Sequence, residues 1–227
     1  MDKKLIARYA IREVLNIIGL AVALFWSAGQ IDWWAGWAAV MVNLAWLAAT
    51  AIIILHFYPH LLLDRLGPRP GSKSWDVVIV SCLGLVTLIR YIVAGLDFRF
   101  GWSGGFSLTS QVAALIICVL GYSLFVWAAA FNPFFSQIVR VQNGRSHKVI
   151  NTGPYQVVRH PAYLGVMLYE LAVPFLLASW WALLISGVSL SLIILRTALE
   201  DRTLMAELAG YQEYSRQVRS RLIPGIW

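Results

Sequence analysis

The residues whose types and spacing can do chemistry fall in two short segments. The first is Asn151 to Gly165, NTGPYQVVRHPAYLG, where turn formers, a cation and an imidazole stand at the mouth of a hydrophobic run. Pro161 suits a first helical position, because its missing N–H would be unpaired there anyway. A helix begun at that point turns free N–H groups and its positive dipole end toward the preceding loop, which favours a carboxylate or another anion. His160 can donate or accept a hydrogen bond, and Tyr163 one turn in can line the same pocket. The plainer reading is structural, with Arg159 meeting lipid phosphates and His160 capping the helix. The second segment is Arg196 to Asp201, RTALED. Arg196 and Glu200 are four apart and share a helix face, in the order less favourable for a simple surface pair. They point at a ligand in one reading; in the other, Arg196 is paired with Glu200 or Asp201.

The elements that must position these residues are membrane helices. Of 227 residues, 59% are hydrophobic and 13% charged, and the apolar residues fall in long runs, which marks an integral membrane protein. Four runs can span a bilayer as helices: about Ile11–Ala28, Trp33–Phe57, Trp75–Leu96 and Thr109–Phe131. A fifth apolar region, Ala162–Leu199, is interrupted by Pro174 and by Ser179-Trp180-Trp181, and reads as a tight helical hairpin turning near Ala178–Trp181. The expected fold is all-α: a polytopic bundle of about six membrane helices plus a cytoplasmic C-terminal helix. It divides into N-terminal spans (1–131) and a region of loop, hairpin and C-terminal helix (132–227). Because a hairpin returns the chain to its starting side, RTALED arrives beside His160 and Tyr163.

Charge gives the orientation. With alternating spans, every Lys and Arg except Arg90 and Arg99 falls on one side, so both termini and the loops near 64–73 and 132–161 are expected in the cytoplasm, in an inner or plasma membrane. The net charge of +7 reports that orientation and an affinity for anionic lipid headgroups, and no basic-aromatic pattern argues for nucleic acid. Trp26, Trp33, Trp34 and Trp37 cluster at one outer loop and Trp180-Trp181 at the hairpin turn, as interfacial anchors do. Lys3, Lys4, Arg8 and Arg12 resemble the charged start of a signal peptide, but no small-x-small site closes a short apolar core, so the first helix is expected to be retained. Cys82 and Cys118 lie within spans, which speaks against disulfide or zinc frameworks.

The loop Asn132–Arg159 is long enough to be a functional element. Asn143-Gly144 is a turn signal, around which Val139–Gln142 and Lys148–Asn151 are expected to form a short β-hairpin. Beyond the last membrane helix, Leu204, Leu208 and Tyr211 recur at helical spacing, so Asp201–Arg219 is expected to be an amphipathic cytoplasmic helix, with Leu222–Trp227 as an apolar anchor. His56 and His60 are one turn apart but no carboxylate completes a metal set, so both read as interfacial packing. Arg90 reads as structural, snorkelling or paired with Asp97. Asp64-Arg65 with Gly67-Pro68-Arg69-Pro70 reads as a stiff inner loop, whose place relative to the site the sequence does not show.

GPY, then RHPAYLG, an apolar hairpin, Arg196-x-x-x-Glu200, GYQEY and RLIP occur in that order over Gln142–Pro224. This succession resembles the isoprenylcysteine carboxyl methyltransferases and related phospholipid methyltransferases, integral membrane enzymes that use S-adenosylmethionine. The resemblance implies that Gln142, His147, Lys148, Val149, Ile150, Tyr155, His160, Pro161, Ala162 and Tyr163 contact S-adenosylmethionine, with Glu200 contributing from the returning helix and Arg196 facing the substrate. Glu200-Asp201 stands where the family has paired glutamates, and Leu208-Ala209-Gly210-Tyr211 replaces a phenylalanine-glycine step. The loop from Gln142 to His147 is also shorter than in the eukaryotic enzymes. These departures leave the cofactor in place and the acceptor open.

Methyl transfer from a sulfonium asks the protein mainly to align nucleophile, methyl and sulfur and to exclude water. A carboxylate acceptor needs no base, and Arg196 would position it. An amine or thiol has to lose a proton, and Glu170, an acid about two turns into the hairpin helix, is the candidate base. Its structural alternative is a buried partner for Arg90 or a hydrogen bond to Ser or Thr on a neighbouring helix. The acceptor would be a lipophilic small molecule or a lipidated substrate entering from the bilayer, with membrane lipids as neighbours. A nicotinamide-dependent membrane reductase of the sterol-reductase type shares the Arg-His-Pro step, although Ala162 and Val166 stand where such enzymes typically carry Asn and Glu. A non-catalytic scaffold or transporter leaves the polar clusters unexplained, and no inverted repeat supports transport.

Overall fold

In the computed structural model, residues 3–142 and 147–227 are described, and they form helices and connecting loops with no strand. The helices are α1 (Lys3–Ala28), α2 (Trp34–His56), α3 (Ser74–Phe100), α4 (Leu108–Phe131), α5 (Pro161–Leu176), α6 (Trp180–Glu207) and α7 (Tyr211–Gln217). Five of them, α1 to α4 and α6, are long and apolar enough to cross a membrane. The sixth apolar helix, α5, has 16 residues. At 1.5 Å per residue it reaches about 24 Å, short of a hydrocarbon core of about 30 Å. Among the described residues the bundle thus has five apolar helices of spanning length and a sixth, α5, that is shorter. Its outer surface is apolar, with Ile11, Ile18, Val22, Leu85, Leu184 and Val188 all exposed to what would be lipid.

The α5–α6 hairpin turns where the sequence indicated. Ala178 takes the left-handed conformation at φ 56°, and the Ser179 side chain accepts the Ala182 N–H at the start of α6. Pro174 lies inside α5 without ending it. Two glycines let α4 and α5 touch backbone to backbone: a Cβ built on Gly121 would stand 2.6 Å from the Gly165 carbonyl oxygen. The same Gly165 closes the RHPAYLG segment, so that motif also contains the contact fixing α5 against α4.

Several polar groups inside the bundle are gathered into paired networks, as a low-dielectric interior favours. The Asn43 amide donates to the Tyr169 hydroxyl at 2.7 Å, the Tyr91 and Tyr169 hydroxyls are 2.6 Å apart, and the Tyr122 hydroxyl donates to Asn43. Below this network Arg90 donates to Glu170, both buried, with the guanidinium 4.9 Å from the Tyr91 ring centroid. Arg90 therefore does not pair with Asp97, which instead accepts from Ser103 and Ser179.

Two expectations from the sequence are corrected. Asp201–Arg219 is not one helix: α6 runs on through Glu207, and the chain breaks at Leu208–Gly210, where Gly210 has φ 82°. The expected strands around Asn143-Gly144 do not pair in the described residues, and residues 143–146 lie outside them. Val139 is instead tied to the start of α3, its N–H donating to Asp76 and its carbonyl accepting from Lys73.

Gly165→Val should push α5 away from α4 and cost about 1–3 kcal/mol or more, as overpacking does. Thermal unfolding in detergent measures it as a clear drop in midpoint. Gly187→Ala, on an exposed face where a Cβ meets nothing within 4 Å, should leave the midpoint unchanged or slightly raised.

Candidate functional site

The site is assembled from the loop before α5, the first turn of α5, the inner end of α6 and the C-terminal segment. The Thr152-Gly153-Pro154 turn leads into a short 3-10 helix, Gly153–Gln156. Only glycine fits at its start, because φ is +58° and a Cβ would lie 2.5 Å from the Phe131 ring. This turn buries Tyr155, whose hydroxyl accepts from the Asn132 amide at 3.2 Å and whose carbonyl accepts from the Tyr214 hydroxyl at 2.6 Å.

The next step, Arg159-His160, is locked to the C-terminal segment. The Arg159 and His160 N–H groups donate to the Ser220 and Arg221 carbonyls at 3.0 and 2.9 Å. Arg159 is buried rather than facing lipid headgroups: it holds Asp201 through Nε (2.8 Å) and Nη2 (3.0 Å), and its Nη1 donates to the Val218 and Arg219 carbonyls. Asp201 also accepts from Arg221 Nε and the Tyr211 hydroxyl, both at 2.8 Å, and its Oδ1 lies 3.3 Å from His160 Nε2. One carboxylate thus ties the entry of α5, the exit of α6, α7 and the chain end.

That lock sets the first turn of α5 against α6. The Tyr163 hydroxyl donates to Glu200, and the rings of His160 and Tyr163 lie parallel with centroids 5.7 Å apart. The helix start offers less to an anion than the sequence suggested. Pro161 has no N–H, and the N–H groups of His160 and Tyr163 already donate to carbonyls. Arg196 lies over Tyr163, its guanidinium 5.0 Å from the ring centroid. Its Nε and Nη2 hold Asp76 at 2.7 and 2.9 Å, and Nη2 also reaches the Gln137 carbonyl. Its partner is therefore Asp76 on α3, not Glu200 or Asp201.

These groups open onto one cavity of about 660 Å³. His147, Lys148, Val149, Ile150, Tyr155, His160, Pro161, Ala162, Tyr163, Arg196 and Glu200 all line it. Gln142 does not: it is buried beside the cavity, its side chain donating to the Phe134 carbonyl and its N–H to His147 Nδ1. Glu170 lies outside the cavity against Arg90, the structural place that the sequence left open for it. Sequence reasoning missed Asp76, which reads as an ordinary acid in the first turn of a helix, and the Arg159–Asp201 pair, whose members lie 42 residues apart. His60 meets the Pro133 carbonyl, and no group of metal ligands occurs among the described residues.

Burial, helped by the charge of Arg140, lowers the His147 pKa to about 4, so this imidazole is neutral near pH 7 and its Nδ1 accepts the Gln142 N–H. Burial raises the pKa of Tyr155, Tyr211 and Tyr214, so all three remain protonated donors. For Arg159, burial opposes the charge but the hydrogen bond and charge of Asp201 outweigh it, and its pKa rises.

Comparison with known proteins fits this geometry. Residues 113–206 match the model of the isoprenylcysteine carboxyl methyltransferase (ICMT) family, a stretch covering α4, the loop, α5 and nearly all of α6. Two curated relatives, from Oryza sativa subsp. indica and subsp. japonica, carry the name probable protein-S-isoprenylcysteine O-methyltransferase. Each is 23% identical over 187 residues, covering 78% of this chain and 95% of the relative. The resemblance read from RHPAYLG and RTALE is therefore to a family of membrane methyltransferases, and the matched stretch supplies about half of the residues that line the cavity.

Asp201→Asn should leave Arg159 and Arg221 against a neutral amide and destabilise by about 3–5 kcal/mol, the usual result of removing one member of a buried pair. Denaturant or thermal unfolding in detergent reads this. His147 gives a pH signature. Its folded pKa lies below the unfolded value, so the unfolded chain binds the extra proton and the native state loses stability as pH falls from about 6.5 toward about 4. Compared with wild type, His147→Gln should show a shallower loss of stability across that window and no difference above pH 7.

Proposed function

We propose that this chain is an S-adenosylmethionine-dependent membrane methyltransferase whose acceptor is lipophilic and reaches the site from the bilayer. The observation that carries this reading is the continuity of the cavity. Its polar end is walled by His147, Tyr155, Tyr163 and Glu200, and its other end runs between α1 and α3 past Leu20, Leu83 and Leu88. Gly19 and Gly84 line that apolar end beside open space, a Cβ on either meeting nothing within 4 Å. A polar chamber joined to an apolar trough suits one water-soluble and one lipid-soluble ligand. By the charge distribution, the polar end faces the cytoplasm of an inner or plasma membrane.

The residues fit the cofactor chemically. Glu200, positioned by Tyr163, offers carboxylate oxygens to an ammonium or to ribose hydroxyls. Val149, Ile150 and the Tyr155 ring offer an apolar bed for a purine, and the aromatic faces favour a nearby cation. The neutral His147 can accept or donate without adding a competing positive charge. When bound, S-adenosylmethionine supplies a methyl group already activated on a sulfonium. The chain's own task is then alignment and exclusion of water. The Asp201 lock holds the α5 start in register, Tyr163 fixes Glu200, and Arg196 with Asp76 braces the wall between the two ends of the cavity. Glu170 is turned to Arg90 and lies outside the cavity.

Calorimetry on detergent-purified protein tests the reading. S-adenosylmethionine and S-adenosylhomocysteine should bind, and Glu200→Ala or His160→Ala should weaken them about tenfold or more, the scale of a hydrogen bond to a charged group. Selective binding of NADPH would replace this reading with the reductase one.

A further inference from the structure

Five arginines line the cavity, and four of them hold a carboxylate: Arg12 holds Glu13, Arg140 holds Asp64, Arg159 holds Asp201 and Arg196 holds Asp76. Arg65 has no such partner among the described residues. It is 8% exposed, its Nε is buried without a hydrogen bond, and its Nη2 reaches only the Phe135 carbonyl at the limiting distance of 3.5 Å. Its guanidinium lies 5.4 Å from the Phe135 ring centroid, which directs but does not neutralise it. The neighbouring Asp64 is turned to Arg140, and Glu13 is held by Arg12.

An arginine so placed is anomalous. A buried guanidinium keeps its charge and calls for an opposite one. Burial is also the leading influence on Arg65 and lowers its pKa, the reverse of the rise found for the paired Arg159. Three further polar atoms of residues lining this cavity also lack partners among the described residues: Trp46 Nε1 and Thr50 Oγ1, four residues apart on α2, and Arg140 Nε. Guanidinium and indole can only donate. Donors without acceptors, in a cavity that continues into an apolar trough, call for a ligand rich in acceptors and carrying a tail.

We propose that Arg65 is a specificity-determining residue that binds an anionic group, carboxylate or phosphate, on the amphiphile occupying the cavity. Arg65 lies outside residues 113–206, the stretch that matches the family model. Calling the amphiphile the methyl acceptor rests on the function proposed above; the binding of the anion does not.

The test is calorimetry on the full chain in a nonionic detergent, with decanoate, decyl phosphate, decanol and decyltrimethylammonium as probes. One or both anions should bind at least tenfold tighter than decanol and the cation, and the stronger of the two identifies the group recognised. Arg65→Met should abolish that preference, Arg65→Lys should keep part of it, and both should bind S-adenosylhomocysteine within twofold of wild type. Without ligand, Arg65→Met should unfold no earlier than wild type, since it removes an unpaired buried charge. Equal binding of all four probes would overturn the proposal. So would a preference that survives Arg65→Met, an earlier-unfolding Arg65→Met variant with that preference intact, or loss of S-adenosylhomocysteine binding in Arg65→Met, which would assign Arg65 to the cofactor. If wild type shows the anion preference but binds no S-adenosylhomocysteine, the methyltransferase reading fails and the anion site stands.

Discussion

Asp201 accepts hydrogen bonds from Arg159, Arg221 and Tyr211 and lies beside His160, and through these contacts the cavity acquires its shape. A carboxylate with 1% exposure survives in such a place because several donors reach it at once. Removing any one strand of this knot would free either the loop before α5 or the segment after α7. The same rule is applied three more times: Arg196 with Asp76 ties α6 to α3, Arg90 with Glu170 ties α3 to α5, and Arg140 with Asp64 ties the loop after α4 to the loop after α2. In a bundle whose outer surface is apolar on all sides, hydrophobic burial does little to specify which helix meets which. Ion pairs at chosen depths, and the glycine contact between α4 and α5, supply that specification.

This arrangement divides the chain by task. Residues 113–206, which match the methyltransferase family model, contain the loop, α5 and nearly all of α6, and they present Tyr155, His160, Tyr163 and Glu200 to one end of the cavity. The N-terminal helices supply most of the remaining wall: an apolar trough between α1 and α3, and beside it Arg65, which holds no carboxylate among the described residues.

Much of this was legible in the residues. The long apolar runs gave the helices, and Pro161 and Ser179 marked the starts of α5 and α6. The hairpin argument brought Arg196 and Glu200 to the side of Tyr163, where the cavity joins them. What local pattern could not give was choice of partner. Arg196 has Glu200 and Asp201 close by in sequence yet holds Asp76, 120 residues away, because the α3–α6 packing puts Asp76 within reach. Arg90 likewise prefers Glu170 across the bundle to Asp97 two turns along its own helix. The amphipathic pattern of Asp201–Arg219 was real, but Gly210 in the left-handed region breaks it so that Tyr211 and Tyr214 can turn inward to Asp201 and the Tyr155 carbonyl.

The proposed function puts an adenosyl cofactor in the pocket between the α5 start and the α6 end and leaves the lipid-side trough to the acceptor. The most direct measurement is an experimental structure of the protein with S-adenosylhomocysteine at saturating concentration. The account predicts ligand density bounded by His147, Tyr155, Tyr163 and Glu200, with the Asp201 contacts unchanged and the trough between α1 and α3 free of the nucleoside. Density for the nucleoside in that trough, or none at the α5–α6 junction, would contradict it.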